Sequence, residues 1–257
     1  MRYQNIVGLF FVFTTLAGCA SAPNQTLAPT EQRLPATSNA VESIDWNKLV
    51  LSSEEIIQNF ELLKASPNKS LVMELYSYHK SKFANTILPP PPPPPSAEEF
   101  AAIDLYKKQA GYWELNSYLR GNPIEKFTPE TLLAWAKLMV SGLNQFKPEL
   151  IAANVRVYRG AQLNREAART RYKKGVTVTE QSFVSSSTQK TIASVFAQGA
   201  EATGKVKTLL SIESKTGRYI TTGYEAEVLF RPSTRFHVNS YTETTDDWIL
   251  ISLKEIQ

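Results

Sequence analysis

One cysteine and two histidines are all that 257 residues contain of the side chains most used for disulfides and metals. Cys19 alone excludes an internal disulfide. His79 and His237 leave too little for a histidine-based metal site or a Ser-His-Asp triad. No metal is expected, and any chemistry falls to Arg, Ser, Glu and aromatic side chains. Charge of one sign is also scarce. The net charge is +4, with no Lys/Arg block and no zinc-finger spacing, so no nucleic-acid partner is expected. What remains is ordinary: 42% hydrophobic and 20% charged residues suit a soluble globular protein. The length suits one good-sized domain or two small ones.

The N-terminus reads as a targeting signal. Arg2 is the only charge ahead of Ile6 to Phe13, a run that is apolar apart from Gly8 and too short for a comfortable membrane span. Leu16-Ala17-Gly18-Cys19 looks like a bacterial lipobox, in which the cysteine is lipidated and becomes the first mature residue. The competing cleavage signal, Ala20-Ser21-Ala22, would place Pro23 just after the cut, where a ring without an N–H fits a peptidase poorly. The expectation is a secreted or exported protein, an outer-membrane lipoprotein if Cys19 is the acceptor. It would touch membrane only through that lipid.

Residues 1–19 are thus signal and lipobox, and 20–45, rich in Pro, Thr, Ser, Asn and Ala, a flexible linker. From 46 to 150 the pattern is helical. Ser52-Ser53-Glu54-Glu55 and Ser96-Ala97-Glu98-Glu99 resemble capped helix starts, and Thr128-Pro129-Glu130 opens another helix with Pro in its first turn. Leu71 to Phe83 and Tyr112 to Leu119 are also expected to be helical. The seven prolines Pro89 to Pro95 force an extended rod: a stiff surface loop between two helices, or a docking site for a Pro-binding module. From 151 to 257 short β-type runs take over, including Val155 to Tyr158, Lys207 to Ile212, Ala226 to Phe230 and Trp248 to Leu253. One helix, near Gln189 to Gln198, interrupts them. Helices first and strands later predict an α+β domain over 46–257, with the helices gathered to one side.

Three segments carry candidate chemistry. Glu225 and Glu227, two apart in a strand, share a face with side chains roughly 7 Å apart. Two such carboxylates can divide labour at a cleft, one stabilising positive charge and one handling a proton; they equally suit the charged outer face of a strand. Arg159 with Gly160 offers a bidentate phosphate ligand beside an accessible backbone, or an ordinary turn. Ser185-Ser186-Ser187 can hydrogen-bond a carboxylate, or end a polar strand.

Their order changes the reading. Tyr158-Arg159, then Phe183 to Ser187, then Glu225-Ala226-Glu227 resembles the clostridial-type ExE mono-ADP-ribosyltransferase toxins of the Arg-Ser-Glu class, the iota-like group, here as a single-domain secreted member. That pattern is aromatic-Arg, aromatic-x-Ser-Thr-Ser and Glu-x-Glu; Ser186 replaces the usual threonine. Tyr106 to Tyr112, Asn116 and Leu119-Arg120-Gly121 resemble the family's NAD-side helix. Phe196 stands where the family places a nicotinamide-contacting aromatic, and Gly217-Arg218-Tyr219-Ile220 resembles its glycine-led turn. The segment from Gly217 to Glu225 looks shorter than in the actin-modifying members, and the polyproline insert is not part of the pattern.

The resemblance implies N-terminal helices packed against a core of two antiparallel β-sheets. It implies NAD as co-substrate, held by Tyr112, Asn116, Arg159, Gly160, Asn164 and Phe196. Arg159 would pair with a phosphate. Glu227 would stabilise the oxocarbenium-like ribose left when nicotinamide departs, Ser185 would fix the rotamer of Glu227, and Glu225 would deprotonate an acceptor guanidinium. Tyr219 and Tyr224 would recognise the substrate, a target protein bearing an acceptor arginine. A monomer is expected. Two other readings stay open at this point: an NAD glycohydrolase with no protein acceptor, and a lipid-anchored binding protein without chemistry.

Overall fold

The computed structural model describes residues 41, 43–84, 94–108, 111–146, 151–198, 204–220 and 226–256. Cys19 with the whole targeting segment, Pro89 to Pro93, Tyr224 and Glu225 lie outside the described residues.

The helical part forms where its caps predict. Helix α1 (Ser53–Lys64) starts at a reciprocal Ser52/Glu55 capping box, and α3 (Ala97–Lys107) at the same device built from Ser96 and Glu99. Between them runs α2 (Lys69–Ala84). Helix α4 (Tyr112–Leu119) follows Gly111, whose φ of 103° is open to glycine; a Cβ there would lie 2.6 Å from the Phe127 ring. Helix α5 (Pro129–Asn144) has Thr128 as N-cap and Pro129 in its first turn. Its residues Leu132, Trp135, Leu138 and Met139 are fully buried against Ile103, Leu105 and Leu115, each burial being worth roughly 1.5–3 kcal/mol. Trp135 also donates its indole N–H to Ala102 O at 2.9 Å.

The β-rich part contains β1 (Val155–Leu163), β2 (Thr177–Glu180), β3 (Val184–Ser187), β4 (Val206–Ser214), β5 (Arg218–Tyr219), β6 (Glu227–Phe230), β7 (Thr234–Glu243) and β8 (Trp248–Ile256). The α+β class holds. The expected pair of antiparallel sheets is corrected in two respects. The strands join in one sheet of order β2-β7-β8-β4-β1-β3-β6-β5, and β4 runs parallel to β8. The parallel pair arises because the chain leaves β4, builds β5, β6 and β7, and only then returns to lie beside β4. The sheet is weakly joined at one place. β1 and β3 share a single register pair, Tyr158 with Ser187, whereas β1 and β4 pair along nine residues.

That seam sets the site. β2 and β3 are five steps apart in the sheet, about 24 Å if it were flat. Only Gln181, Ser182 and Phe183 connect them, a reach of about 14 Å at most. The sheet must therefore curl until β2 approaches β3. Two further helices complete this part: α6 (Arg165–Arg171), packed through Ala168 into the β core, and α7 (Lys190–Phe196), lying on β1. Helix α6 was not expected. Among its residues only Ala168 is buried, so it carries no apolar stripe to read.

Strands β3 and β6 are covered on both faces. Phe183 and Leu229 join the helical core, while Val184, Val228 and Phe230 join the β core. Buried arginines tie the layers together. Arg218 Nε donates to Leu143 O at 3.0 Å near the α5 C-terminus, and Arg231 donates to the Asn144 side chain and to Asn47 O. Burial, reinforced by Arg231, lowers the Arg218 guanidinium to about 10.

Candidate active site

The paired strands β3 and β6 bring Ser185 and Glu227 together. Ser187 lies directly opposite Glu227, and Ser185 opposite Leu229, so Ser185 and Glu227 are diagonal neighbours on one face. Ser185 Oγ donates to Glu227 Oε1 at 2.5 Å. Just before Glu227, Ala226 has φ 39°, a left-handed conformation that costs a non-glycine residue about 1–2 kcal/mol. Strain of that kind gathers at functional sites.

Arg159 reaches the same place from β1. Its Nη1 donates to Ser185 O at 2.8 Å across the seam. Arg159, Ser185 and Glu227 are therefore one connected group, drawn from three strands. Gly160 also has a packing duty. A Cβ on it would lie 1.7 Å from Ala193 O and 3.1 Å from Ala197 N, so α7 rests directly on the β1 backbone there. Glycine is required for helix packing, whatever else approaches that backbone.

Helix α4 forms the facing wall. The Tyr112 ring meets Tyr106 edge-on at 5.7 Å, and Tyr106 meets Phe183 at 5.6 Å. Asn116, only 7% exposed, donates Nδ2 to the Tyr106 hydroxyl at 3.0 Å and accepts from Phe183 N at 3.1 Å. Its amide thus bridges α3, α4 and the entry to β3. Burial raises the Tyr106 hydroxyl to about 12, which keeps it neutral. Glu114, fully buried, accepts from the backbone N–H groups of Lys126 and Phe127 at 3.0 Å and pins the chain beyond α4.

Inside the curl lies a pocket of about 240 Å³. Its floor is apolar, from β3, β4, β7 and β8, and its polar rim is Arg120, Arg159, Asn164, Arg171, Tyr172 and Glu180. Arg120 follows α4 and donates to Ser182 Oγ at 3.2 Å. Burial, and secondly the charge of Arg159, pull its guanidinium below the usual arginine range. Two cations held together in a partly desolvated cleft attract an anion that relieves their repulsion, and arginine forks suit phosphate oxygens. Sequence reasoning left Arg120 out of the candidate site, although it stood inside the Leu119-Arg120-Gly121 match. Asn164 lines the pocket, and its Oδ1 caps α6 by accepting from Ala167 N at 3.0 Å.

The remaining candidates are less concentrated. Phe196 ends α7 with 54% of its surface exposed. Tyr219 is half-buried on β5, opposite Val228, and packs against the β core. No helix among the described residues is long and apolar enough to cross a membrane.

A family model described as ART, NAD:arginine ADP-ribosyltransferase, matches residues 58–257. No curated protein matches the sequence. Solved structures share the fold at low identity. The ADP-ribosyltransferase Vis in complex with agmatine, known also as the Vis toxin of Vibrio splendidus, is 19% identical with a TM-score of 0.51, over 83% of this chain and 91% of that one. The type III effector XopAI of Xanthomonas axonopodis pv. citri is 18% identical with a TM-score of 0.60, over 89% and 94%. The ADP-ribosyltransferase HopU1 of Pseudomonas syringae pv. tomato is 18% identical with a TM-score of 0.59, over 80% and 99%.

Proposed function

The chain belongs to the NAD:arginine ADP-ribosyltransferase family, and from that premise we propose an exported ExE-type mono-ADP-ribosyltransferase that moves ADP-ribose from NAD onto an arginine of another protein. The observation that carries this reading is the Ser185–Glu227 contact with Arg159 hydrogen-bonded to the same serine residue.

The reaction breaks the bond between nicotinamide and ribose and leaves positive charge on the sugar. Glu227 stabilises that charge, and a carboxylate already held by Ser185 needs no reorganisation to do so. Arg120 and Arg159 take the pyrophosphate. At about 240 Å³ the pocket is below the roughly 300–1,000 Å³ of whole-ligand sites, so it accepts one end of the dinucleotide while the rest lies along the open seam. Asn116, with its amide engaged by Tyr106 and Phe183, is a positioning residue. Phe196 and Tyr112 present aromatic surface to the nicotinamide side, and Gly160 offers its main chain there.

Glu225 is assigned to the acceptor. A guanidinium is almost fully protonated, so a second carboxylate must orient it and remove its proton before nitrogen attacks the ribose. The products are nicotinamide, ADP-ribosyl-arginine and a proton. Agmatine, found with Vis, carries the same guanidinium group, which supports an arginine acceptor here. Water replacing arginine gives a side glycohydrolase activity. Tyr219 and Tyr224 are assigned to the protein substrate, no metal is needed, and the enzyme acts as a monomer. Leu16-Ala17-Gly18-Cys19 supports export, with a lipid anchor at Cys19.

The test is incubation of purified protein with labelled NAD and a cell lysate, followed by mapping of the modified residue. Label on arginine is expected. Label on another residue type removes the arginine assignment, and free ADP-ribose alone makes the protein a glycohydrolase.

A further inference from the structure

Among the residues lining the pocket, Glu180 is the one carboxylate, facing three guanidinium groups, Arg120, Arg159 and Arg171. It ends β2, at the point where the curled sheet hands the chain to β3. Arg171 Nη2 approaches Glu180 Oε1 at 3.0 Å, and the Tyr172 hydroxyl donates to the same oxygen at 2.9 Å. Both contacts converge on Oε1; among the described residues no hydrogen bond reaches Oε2. A partly exposed ion pair adds little stability, so pairing with Arg171 is a weak reason for this placement. In a pocket that otherwise attracts phosphate, a carboxylate opposes binding unless the group it meets is a hydrogen-bond donor.

Resting on the transferase reading above, we propose that Glu180 is a specificity residue for the adenosine ribose, accepting hydrogen bonds from its 2′- and 3′-hydroxyls and repelling the 2′-phosphate that distinguishes NADP from NAD. The geometry gives the direction. Glu227 with Ser185 fixes the reacting ribose at the seam. Arg120 lies in the electrostatic reach of both Arg159 and Glu180. A pyrophosphate held by Arg120 and Arg159 therefore leads the second ribose towards Glu180. A phosphate monoester there would bring a charge of about −1.5 to −2 against the carboxylate. Arg171 does not rescue it, because Glu180 already holds that guanidinium; the same contact keeps Arg171 raised against the burial that would lower it.

The experiment compares the full chain with its Glu180→Gln variant, measuring nicotinamide release from NAD and from NADP. Displacement assays in parallel compare ADP-ribose with its 2′-phosphate. The wild type should prefer NAD in kcat/KM by at least about tenfold, mostly through KM, because like charges brought together are costly. Glutamine keeps the shape, loses the charge and frees Arg171, so the preference should shrink towards unity, with KM for NAD rising as the ribose hydroxyls lose their charged acceptor. Equal use of both dinucleotides by the wild type, or an unchanged preference in the variant, overturns the proposal. If the variant does not fold, the displacement assay on the wild type decides: equal affinity for ADP-ribose and its 2′-phosphate overturns it. A wild type that cleaves neither dinucleotide removes the transferase reading instead, and the displacement assay still judges Glu180.

Discussion

Ser185 holds Glu227 by a 2.5 Å hydrogen bond across the β3–β6 pair, and its own carbonyl is held by Arg159. The serine backbone and side chain therefore bind two different members of the group. Removing the hydroxyl takes that hydrogen bond from the carboxylate and leaves the Arg159 contact intact. Ser185→Ala should lower kcat for nicotinamide release by about tenfold, the scale of one lost positioning hydrogen bond, with little change in KM. Glu227→Ala should cost a hundredfold or more, about 3 kcal/mol of transition-state stabilisation. Steady-state kinetics on both variants check the ranking; a Ser185→Ala loss equal to that of Glu227→Ala would mean the serine acts on its own account.

Gly160 separates two explanations for one residue. Gly160→Ala puts a methyl group 1.7 Å from a main-chain oxygen of α7, an overlap no side-chain rotation relieves. The helix must shift, so a stability loss of at least about 2 kcal/mol is expected in chemical denaturation. If glycine served only to admit the ligand, the variant would keep its stability and lose NAD affinity alone.

Helix α6 depends on charges far away in sequence. Arg165 pairs with Glu243 and Asp247, and Arg169 Nη2 lies 2.8 Å from Glu243 Oε1. Arg169 foremost, then Tyr241 and Arg165, lower the Glu243 carboxyl from its ordinary 4.5 to about 2. A carboxyl depressed on folding stabilises the fold above its unfolded value, and that contribution is lost as pH falls from 4.5 towards about 2. Glu243→Gln should therefore lower Tm at neutral pH, with the gap from wild type closing across that acid window. Because the pairs are exposed, 1 M salt should also narrow the gap, the Debye length then being about 3 Å. A gap independent of both pH and salt would show that the effect is not ionic.

These cases show what sequence can carry. The caps of α1, α3 and α5 are local, within four residues, and were legible as such. Helix α6 was not, because its anchors Glu243 and Asp247 lie over seventy residues downstream and its own face is polar. The connection of Arg159, Ser185 and Glu227 was legible from motif order. The strand order that joins them, and the parallel pairing of β4 with β8, were not, since both are long-range pairings. The sequence marks Asn116 as a candidate, but not its service to Tyr106 and Phe183. Glu180 gave no signal: Thr177-Val178-Thr179-Glu180 reads as a polar edge strand until the curl brings it to the pocket.

Glu225→Gln should abolish transfer to protein arginine while much of the NAD hydrolysis remains. The two half-reactions have different needs. Departure of nicotinamide requires charge stabilisation at the ribose, which is assigned to Glu227. Attack by arginine also requires a deprotonated, oriented guanidinium, and its high pKa makes a neighbouring carboxylate necessary. Water traps an oxocarbenium-like sugar with far less activation, so hydrolysis survives. Glutamine preserves shape and removes charge, so the effect reports charge and not packing. Labelled ADP-ribose on protein, measured against free ADP-ribose in the same reaction, separates the two activities. A fall of both by the same factor would place Glu225 in NAD binding or folding, and the arginine assignment would lose its main mechanistic support.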